Sequence, residues 1–514
     1  MTTQRPISHV FVLMLENHSF DNIFAMSGIP GIIAATTNDK NSYDNKDYYV
    51  STGAPVSMPS DPGHEFPDVV EQLSGNKHYP SGGPYPTINN SGFVSNYATS
   101  KTEGPTPPIA DIGDIMKCFD TPKQLPVIYQ LATEFALCDQ WFSSLPGPTW
   151  PNRFFVHGAS SAGWATSPKP WTIADWEFNP WGGFTYPNHS IFDAIKAKKL
   201  KYRLYNDYDN QFSDDPPNCI EDSLGSIAQV SSIKGIHHKD VHSFSHFASD
   251  LKVSYDYQYT FIEPNYGNIL NNSYAGGSSQ HPMDDMYGGE GLIKATYEAI
   301  RNSPLWDSSL LIITYDEHGG FYDSVKPGAA PEPGDGSASK SNKYNKYGFT
   351  FAQYGVRVPA VIVSPLIQKG KVDHTIYDHA SVLATLEELF GLSPLTQRDK
   401  EANDLLHLLS LNSPRTDCPT TLNNPVKLAS VAPAPLSAQE QAEIDQQPIP
   451  ESGYLASFMI TALKAELDLA DGSPEEKAAM IEEFKKIKTK GEARTYLKKV
   501  LAQIEAAKAS TGER

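Results

Sequence analysis

The chain has 514 residues, 39% of them hydrophobic and 20% charged, with a formal net charge of −19. That acid surplus argues against a nucleic-acid binder, because a phosphate backbone would repel it, and it gives no general attraction to anionic membranes. The four cysteines (Cys118, Cys138, Cys219, Cys418) are widely spaced with no CxxC pair, which argues against a zinc knuckle and outlines no disulfide framework.

In chain order, the first apolar run is "HVFVLML" at 9–15. It is too short for the core of a secretory signal and reads as the first strand. The expectation is therefore a chain that stays inside the cell, leaves by a signal-independent route, or is seen without its signal. No later run approaches the ~20 apolar residues of a membrane span. Residues 35–115 are rich in Gly, Pro, Asn, Ser and Asp and read as loops over the top of a sheet. Further strands are "YQYTFIEP" (257–264), "LLIITY" (310–315) and "VPAVIVSP" (358–365), alternating with helices at 291–304 and 379–391, the second closed by Gly391. The alternation predicts a doubly wound α/β sheet over residues 1–412. Residues 413–450 are proline-rich and read as a linker or strap. Residues 451–514 form a helical tail with amphipathic stripes such as Leu455, Phe458, Met459, Ala462, Leu463 and Leu467, and "SPEE" at 473–476 reads as a helix start with a capping box. Those stripes must be covered, either by the chain's own catalytic domain or by another subunit in a homo-oligomer.

Chemistry concentrates where apolar runs stop. The strand at 310–315 ends in Asp316, Glu317 and His318, followed by Gly319 and Gly320. Buried adjacent carboxylates repel, and a divalent cation relieves that cost. The first strand ends likewise in Glu16 and Asn17, so four oxygen-bearing side chains from two strand ends suffice for a metal. In "LPGPTWPNRFF" (145–155), three prolines and a glycine brace Thr149, a rigid presentation that suits a nucleophile, with Asn152 and Arg153 expected within reach of an anion.

Taken in order, "ENHSFDNIF", "DPGHEF", "LPGPTWPNRFF", "QHPMDD", "TYDEHGGFYDSV" and "LTQRD" strongly resemble the phosphoesterase family of bacterial and plant non-specific phospholipases C and related acid phosphatases, across about residues 5–405. The resemblance implies an alkaline-phosphatase-like fold: a central sheet flanked by helices, here with a C-terminal helical extension. It implies Glu16 and Asn17, with Asp316 and Glu317, as metal pairs, and Thr149 as nucleophile. His64 and His281 match histidines that face the phosphoryl group, and His242 is chosen for a further active-site histidine from "GIHHKDVHSFSHF". The family's Arg after Glu-Asn is His18 here, which receives no role.

The implied activity is that of a metal-dependent phospholipase C. It would cleave the glycerol-side phosphodiester of a phospholipid such as phosphatidylcholine to diacylglycerol and a phosphorylated head group, through a phosphothreonine intermediate. The alternatives are a phosphomonoesterase (acid phosphatase) of the same family and an inactive lipid-binding homologue. Oxygen ligands favour Ca²⁺, Mg²⁺ or Mn²⁺, while the superfamily often uses Zn²⁺. The partner is a phospholipid at a membrane surface. Six of the seven tryptophans lie between 141 and 181, where their faces could meet a quaternary ammonium group or the lipid interface.

Overall fold

The structure, a computed structural model, describes residues 7–100, 111–168, 183–207, 209, 211–212, 228–270, 274–428, 437–450, 454–470 and 473–511. The fold is mixed α/β, built on an eight-stranded sheet. Across it the strands run Lys371–Asp373, Ala136–Cys138, Ala360–Val363, Ser309–Tyr315, His9–Leu15, Tyr259–Glu263, Tyr202–Asn206 and Val241–Ser243. The two longest strands are central and pair in parallel register, from His9 opposite Ser309 to Leu15 opposite Tyr315. Every residue from Val10 to Leu15 and from Ser309 to Tyr315 is buried. Continuous apolar runs do this because helices cover both faces of such a sheet.

The helices Pro126–Glu134 and Tyr287–Arg301 pack on each other and on the sheet, and Thr149–Gly158 pairs with Ala380–Phe390. The last of these ends at Gly391 in the left-handed conformation, as the sequence suggests.

Two features go beyond those expectations. The strand Ala360–Val363 is antiparallel to both neighbours, a reversal the strand–helix alternation does not announce, so the sheet is mixed. Residues 35–115 are not all loop. They hold a hairpin (Lys40–Tyr43 with Lys46–Tyr49) and the helices Phe66–Ser74 and Phe93–Thr99. Phe66, Val69, Val70 and Leu73 recur at helical spacing and are all fully buried, a signal masked by the polar composition around them.

The proline-rich segment is described continuously as far as residue 428. Tyr297 donates to the Pro419 carbonyl and Arg301 to that of Cys418, so the strap lies along the Tyr287–Arg301 helix. In the tail, Ser473 and Glu476 form the expected capping box. Leu455, Phe458, Met459, Ala462 and Leu463 of the helix Tyr454–Leu469 are buried in the chain's main hydrophobic core. Lys464 donates to the Ile236 carbonyl, and His237 pairs with Asp468 at 3.0 Å. No helix among the described residues is long and apolar enough to cross a membrane.

Candidate active site

The chemistry collects at the carboxyl ends of the central strands, where open α/β sheets place their ligands. Glu16 and Asn17 follow one central strand and Asp316 and Glu317 its parallel neighbour, so the register sets the pairs side by side. All four are fully buried. The Asn17 N–H donates to Asp316 Oδ1 at 3.4 Å, and the Glu317 N–H donates to the same oxygen at 2.7 Å. Asn17 has φ of 50°, a left-handed conformation that asparagine tolerates better than most residues and that recurs at functional sites.

The two glycines after Glu317 have a steric reason. A Cβ on Gly319 would come 2.1 Å from the Asn17 carbonyl oxygen, and one on Gly320 would come 2.7 Å from Pro62 Cβ. Both residues have positive φ as well. Gly-Gly thus lets the turn touch the first strand's loop on one side and the "DPGH" loop on the other.

Thr149 opens the helix Thr149–Gly158 behind Pro148 and is 3% exposed. Its hydroxyl donates to Asn17 Oδ1 at 3.4 Å, which places it beside the strand-end groups. Being at a helix N-terminus, it sits where partial positive charge favours an anion. Asn152 holds the preceding turn rigid by donating to the carbonyls of Gly147 and Pro148.

Arg153 corrects the sequence reading. It is fully buried and does not wait for a substrate anion. Its Nε donates to Asp316 Oδ2 at 2.8 Å and its Nη1 to Glu263 Oε2 at 2.6 Å. Tyr266 donates to the other Glu263 oxygen. Burial pushes the Asp316 carboxyl up against the opposing pull of Arg153, and burial pushes Glu263 up to about 7.

The histidines divide. His64 and His281 meet edge-on with ring centroids 6.4 Å apart, and both face Asp61. Burial raises the Asp61 carboxyl to about 6. His281 stacks on Tyr274 and is held well below its ordinary value by burial and then by His64. His242 is not brought to this cluster. It lies on the outermost strand, three strands from the one that carries Glu16, or roughly 14 Å at the usual strand spacing.

Other histidines brace the frame. His318 bonds Gln72 at 2.7 Å, and His379 Nε2 donates to the Asp316 carbonyl at 2.6 Å. His18 lies between Asn22 and the Gln280 carbonyl, stacked on Phe321. Trp141, Trp150 and Trp164 are buried, so these three pack the interior instead of offering a surface to a head group. Trp171, Trp176 and Trp181 lie outside the described residues.

Sequence reasoning passed over Asp61, Glu263, Tyr266 and Tyr274. Glu263 was within reach of the rule that found Glu16 and Asp316, since it too ends an apolar strand. Asp61 was in a quoted motif, three residues from the histidine that drew attention.

Charge and lone pairs test whether this centre suits a divalent cation. Glu16, Glu263 and Asp316 are buried around one guanidinium, Arg153, with Glu317 beside Asp316 and Asp61 close enough to Glu317 to feel its charge. Glu317 Oε1 and Asp61 Oδ1 are buried with no hydrogen-bond partner among the described residues. Such an excess of buried negative charge is costly unless protons or a cation neutralise it. Among the described residues no three His, Cys, Asp or Glu side chains group closely enough to hold a metal ion, Glu16, Asp316 and Glu317 included, so what speaks for a cation is the chemistry of the strand-end side chains. Their oxygen chemistry fits a hard divalent cation.

The Phosphoesterase family model matches residues 7–393. Non-specific phospholipase C3 of Arabidopsis thaliana is 34% identical over 434 residues, covering 81% of this chain and 76% of its own. Non-specific phospholipase C6 of the same plant is 34% identical over 477 residues, covering 88% and 83%. The non-hemolytic phospholipase C of Pseudomonas aeruginosa is 23% identical, covering 76% of this chain and 54% of its own. A solved alkaline phosphatase superfamily protein from Vibrio parahaemolyticus superposes at TM-score 0.29 and 15% identity over 54% of this chain and 63% of its own, too loosely to bear on fold or function. With a family model over three quarters of its length and relatives a third identical across most of both chains, this protein belongs to the phosphoesterase family and is a phosphoric ester hydrolase.

Proposed function

We propose that the protein is a metal-dependent phospholipase C that cleaves the glycerol-side phosphodiester of phosphatidylcholine or a similar phospholipid, with residues 1–412 as the catalytic unit, 413–450 as a strap and 451–514 as a helical extension. The observation that carries the reading is the Thr149 hydroxyl, buried at a helix N-terminus and bonded to Asn17 at the carboxyl end of a central strand. Relatives named as non-specific phospholipases C supply the substrate class.

Thr149 attacks phosphorus in line and becomes a phosphothreonine, and the partial positive charge of the helix N-terminus favours its oxyanion. Arg153 and Glu263 fix Asp316, and the Asn17 amide orients the Thr149 hydroxyl. A histidine of the His64–His281 pair gives a proton to the departing diacylglycerol oxygen, and water then cleaves the phosphothreonine. A divalent cation held by Glu16, Asn17, Asp316 and Glu317 would supply Lewis acidity, polarising a phosphoryl oxygen and lowering the effective pKa of Thr149.

Thr149→Val keeps the shape and removes the oxygen. Turnover of phosphatidylcholine, followed as diacylglycerol released, should fall by at least about 10³-fold, the scale seen when a nucleophile is removed. Thr149→Ser should retain activity. Undiminished turnover by the Val variant would sink the phosphothreonine route. Cleavage of p-nitrophenyl phosphate with no diacylglycerol released would make the protein a phosphomonoesterase instead, and inertness toward both would make it a lipid-binding homologue.

A further inference from the structure

Asp61 is absent from the groups assigned above, yet it stands between two of them. Its Oδ1 lies 3.7 Å from His281 Nε2 and 4.0 Å from His64 Nδ1. The side chain is buried, and this oxygen has no hydrogen-bond partner among the described residues. The loop that carries it is fixed. Pro62 and Gly63 lie against Gly320, and Gln72 donates to the Gly63 carbonyl at 2.5 Å while bonding His318 through its other amide atom.

The two histidines are not equivalent. His281 is sealed, stacked on Tyr274, and its Nδ1 accepts the Met283 N–H at 3.3 Å, so its ring proton is on Nε2, toward Asp61. The His64 side chain is 16% exposed. It turns Nδ1 to Asp61, which leaves Nε2 on the far side of the ring.

We propose that Asp61 is a positioning residue that holds His64 with Nδ1–H toward its own Oδ1 and Nε2–H toward the leaving oxygen, making His64 the proton donor. The assignment rests on the phospholipase reading above and adds to it. As the Thr149 Oγ–P bond forms, the glycerol O–P bond breaks, its electron pair stays on the glycerol oxygen, and the His64 Nε2 proton moves there. Thr149 has released its own proton to solvent. In the second half, the attacking water gives a proton to His64 Nε2, its oxygen bonds phosphorus, the Oγ–P bond breaks, and Oγ takes a proton from solvent. Asp61 stabilises the imidazolium at the start and end of the cycle and touches no substrate atom.

The test uses the full chain loaded with its divalent cation and two esters of one head group. Phosphatidylcholine in mixed micelles expels an alkoxide, which needs a proton. p-Nitrophenyl phosphorylcholine expels a phenolate, which does not. In Asp61→Asn, the first-turnover rate of diacylglycerol release from phosphatidylcholine should fall about 100-fold, the lower end of the range for general acid catalysis, with the first-turnover release of p-nitrophenolate changed less than about threefold, because the two esters differ only in that first step. His64→Gln should show the same contrast, and it carries the test if Asp61→Asn does not fold. The double variant should lose no more than His64→Gln alone. Equal losses on both esters, or loss of bound cation from Asp61→Asn, would overturn the assignment of Asp61 while leaving the phospholipase reading intact. A parent protein that cleaves neither ester would overturn both.

Discussion

Arg153 and Arg357 are both sealed from solvent, and each holds two carboxylates. Around Arg357 the account closes. Asp323 accepts from Arg357 through both oxygens and also from the N–H groups of Asp21 and Val325. Asp21 accepts from Arg357 and from the N–H groups of Ala35 and Ser324. The remaining guanidinium nitrogen donates to the carbonyls of Ile33 and Asp139. Around Arg153 several atoms stay open nearby, at Glu317 Oε1, Asn17 Nδ2 and, beyond Glu317, Asp61 Oδ1, against a single amide oxygen, Asn90 Oδ1, next to the Arg357 cluster. The first cluster ties the loop after Glu317 to the loop after Asn17, as structure. The second leaves buried polar groups whose partners must come from outside the protein. The same ion-pair chemistry thus has different meanings, and the unsatisfied neighbours tell them apart.

The comparison predicts first that Arg357 matters mainly for stability. Arg357→Met strands two buried carboxylates, which should cost about 3–5 kcal/mol, read from urea unfolding, while each folded molecule keeps its turnover. A variant as stable as its parent would break the contrast.

A second expectation concerns pH and cations. Asp61 and Glu263 have folded pKa values raised by burial to about 6 and about 7. A carboxyl raised in the folded state gives stability that is present at low pH and lost as pH rises through the folded value, because the native state must then surrender protons the unfolded chain gave up earlier. In chelator, the melting temperature should therefore fall between pH 5 and pH 8. A divalent cation at 100 times its Kd should restore about 2.7 kcal/mol at pH 8 and less at pH 5, where protons compete for the same oxygens. If none of Ca²⁺, Mg²⁺, Mn²⁺ or Zn²⁺ raises the melting temperature at pH 8, the open cluster does not hold a cation.

The smallest effect separates packing from chemistry. Gly320→Ala forces a left-handed alanine against Pro62 and should cost about 1–2 kcal/mol in stability. Because it shifts the Asp61 loop, activity per folded molecule should fall as well. Activity that tracks the folded fraction alone would show that the loop's position is not critical.

The sequence by itself determined the central strands, the tail helices and the strand-end groups. Long apolar runs declare doubly covered strands, and a carboxylate placed directly after one is visible without coordinates. The strands Ala136–Cys138, Lys371–Asp373 and Val241–Ser243 are too short to show any period. The reversed direction of Ala360–Val363 is a property of pairing, which no local pattern carries. Tertiary structure alone decided the partners of the side chains. Arg153 turned inward because two buried carboxylates compete for it better than solvent does. His242 went to the sheet edge because strand order, not motif order, sets lateral position. Asp61 came between two histidines because the loops at His64 and His281, 217 residues apart in sequence, fold against each other. Residue chemistry and spacing are local and can be read along a chain. Which charge faces which is fixed only when burial removes water as the alternative partner.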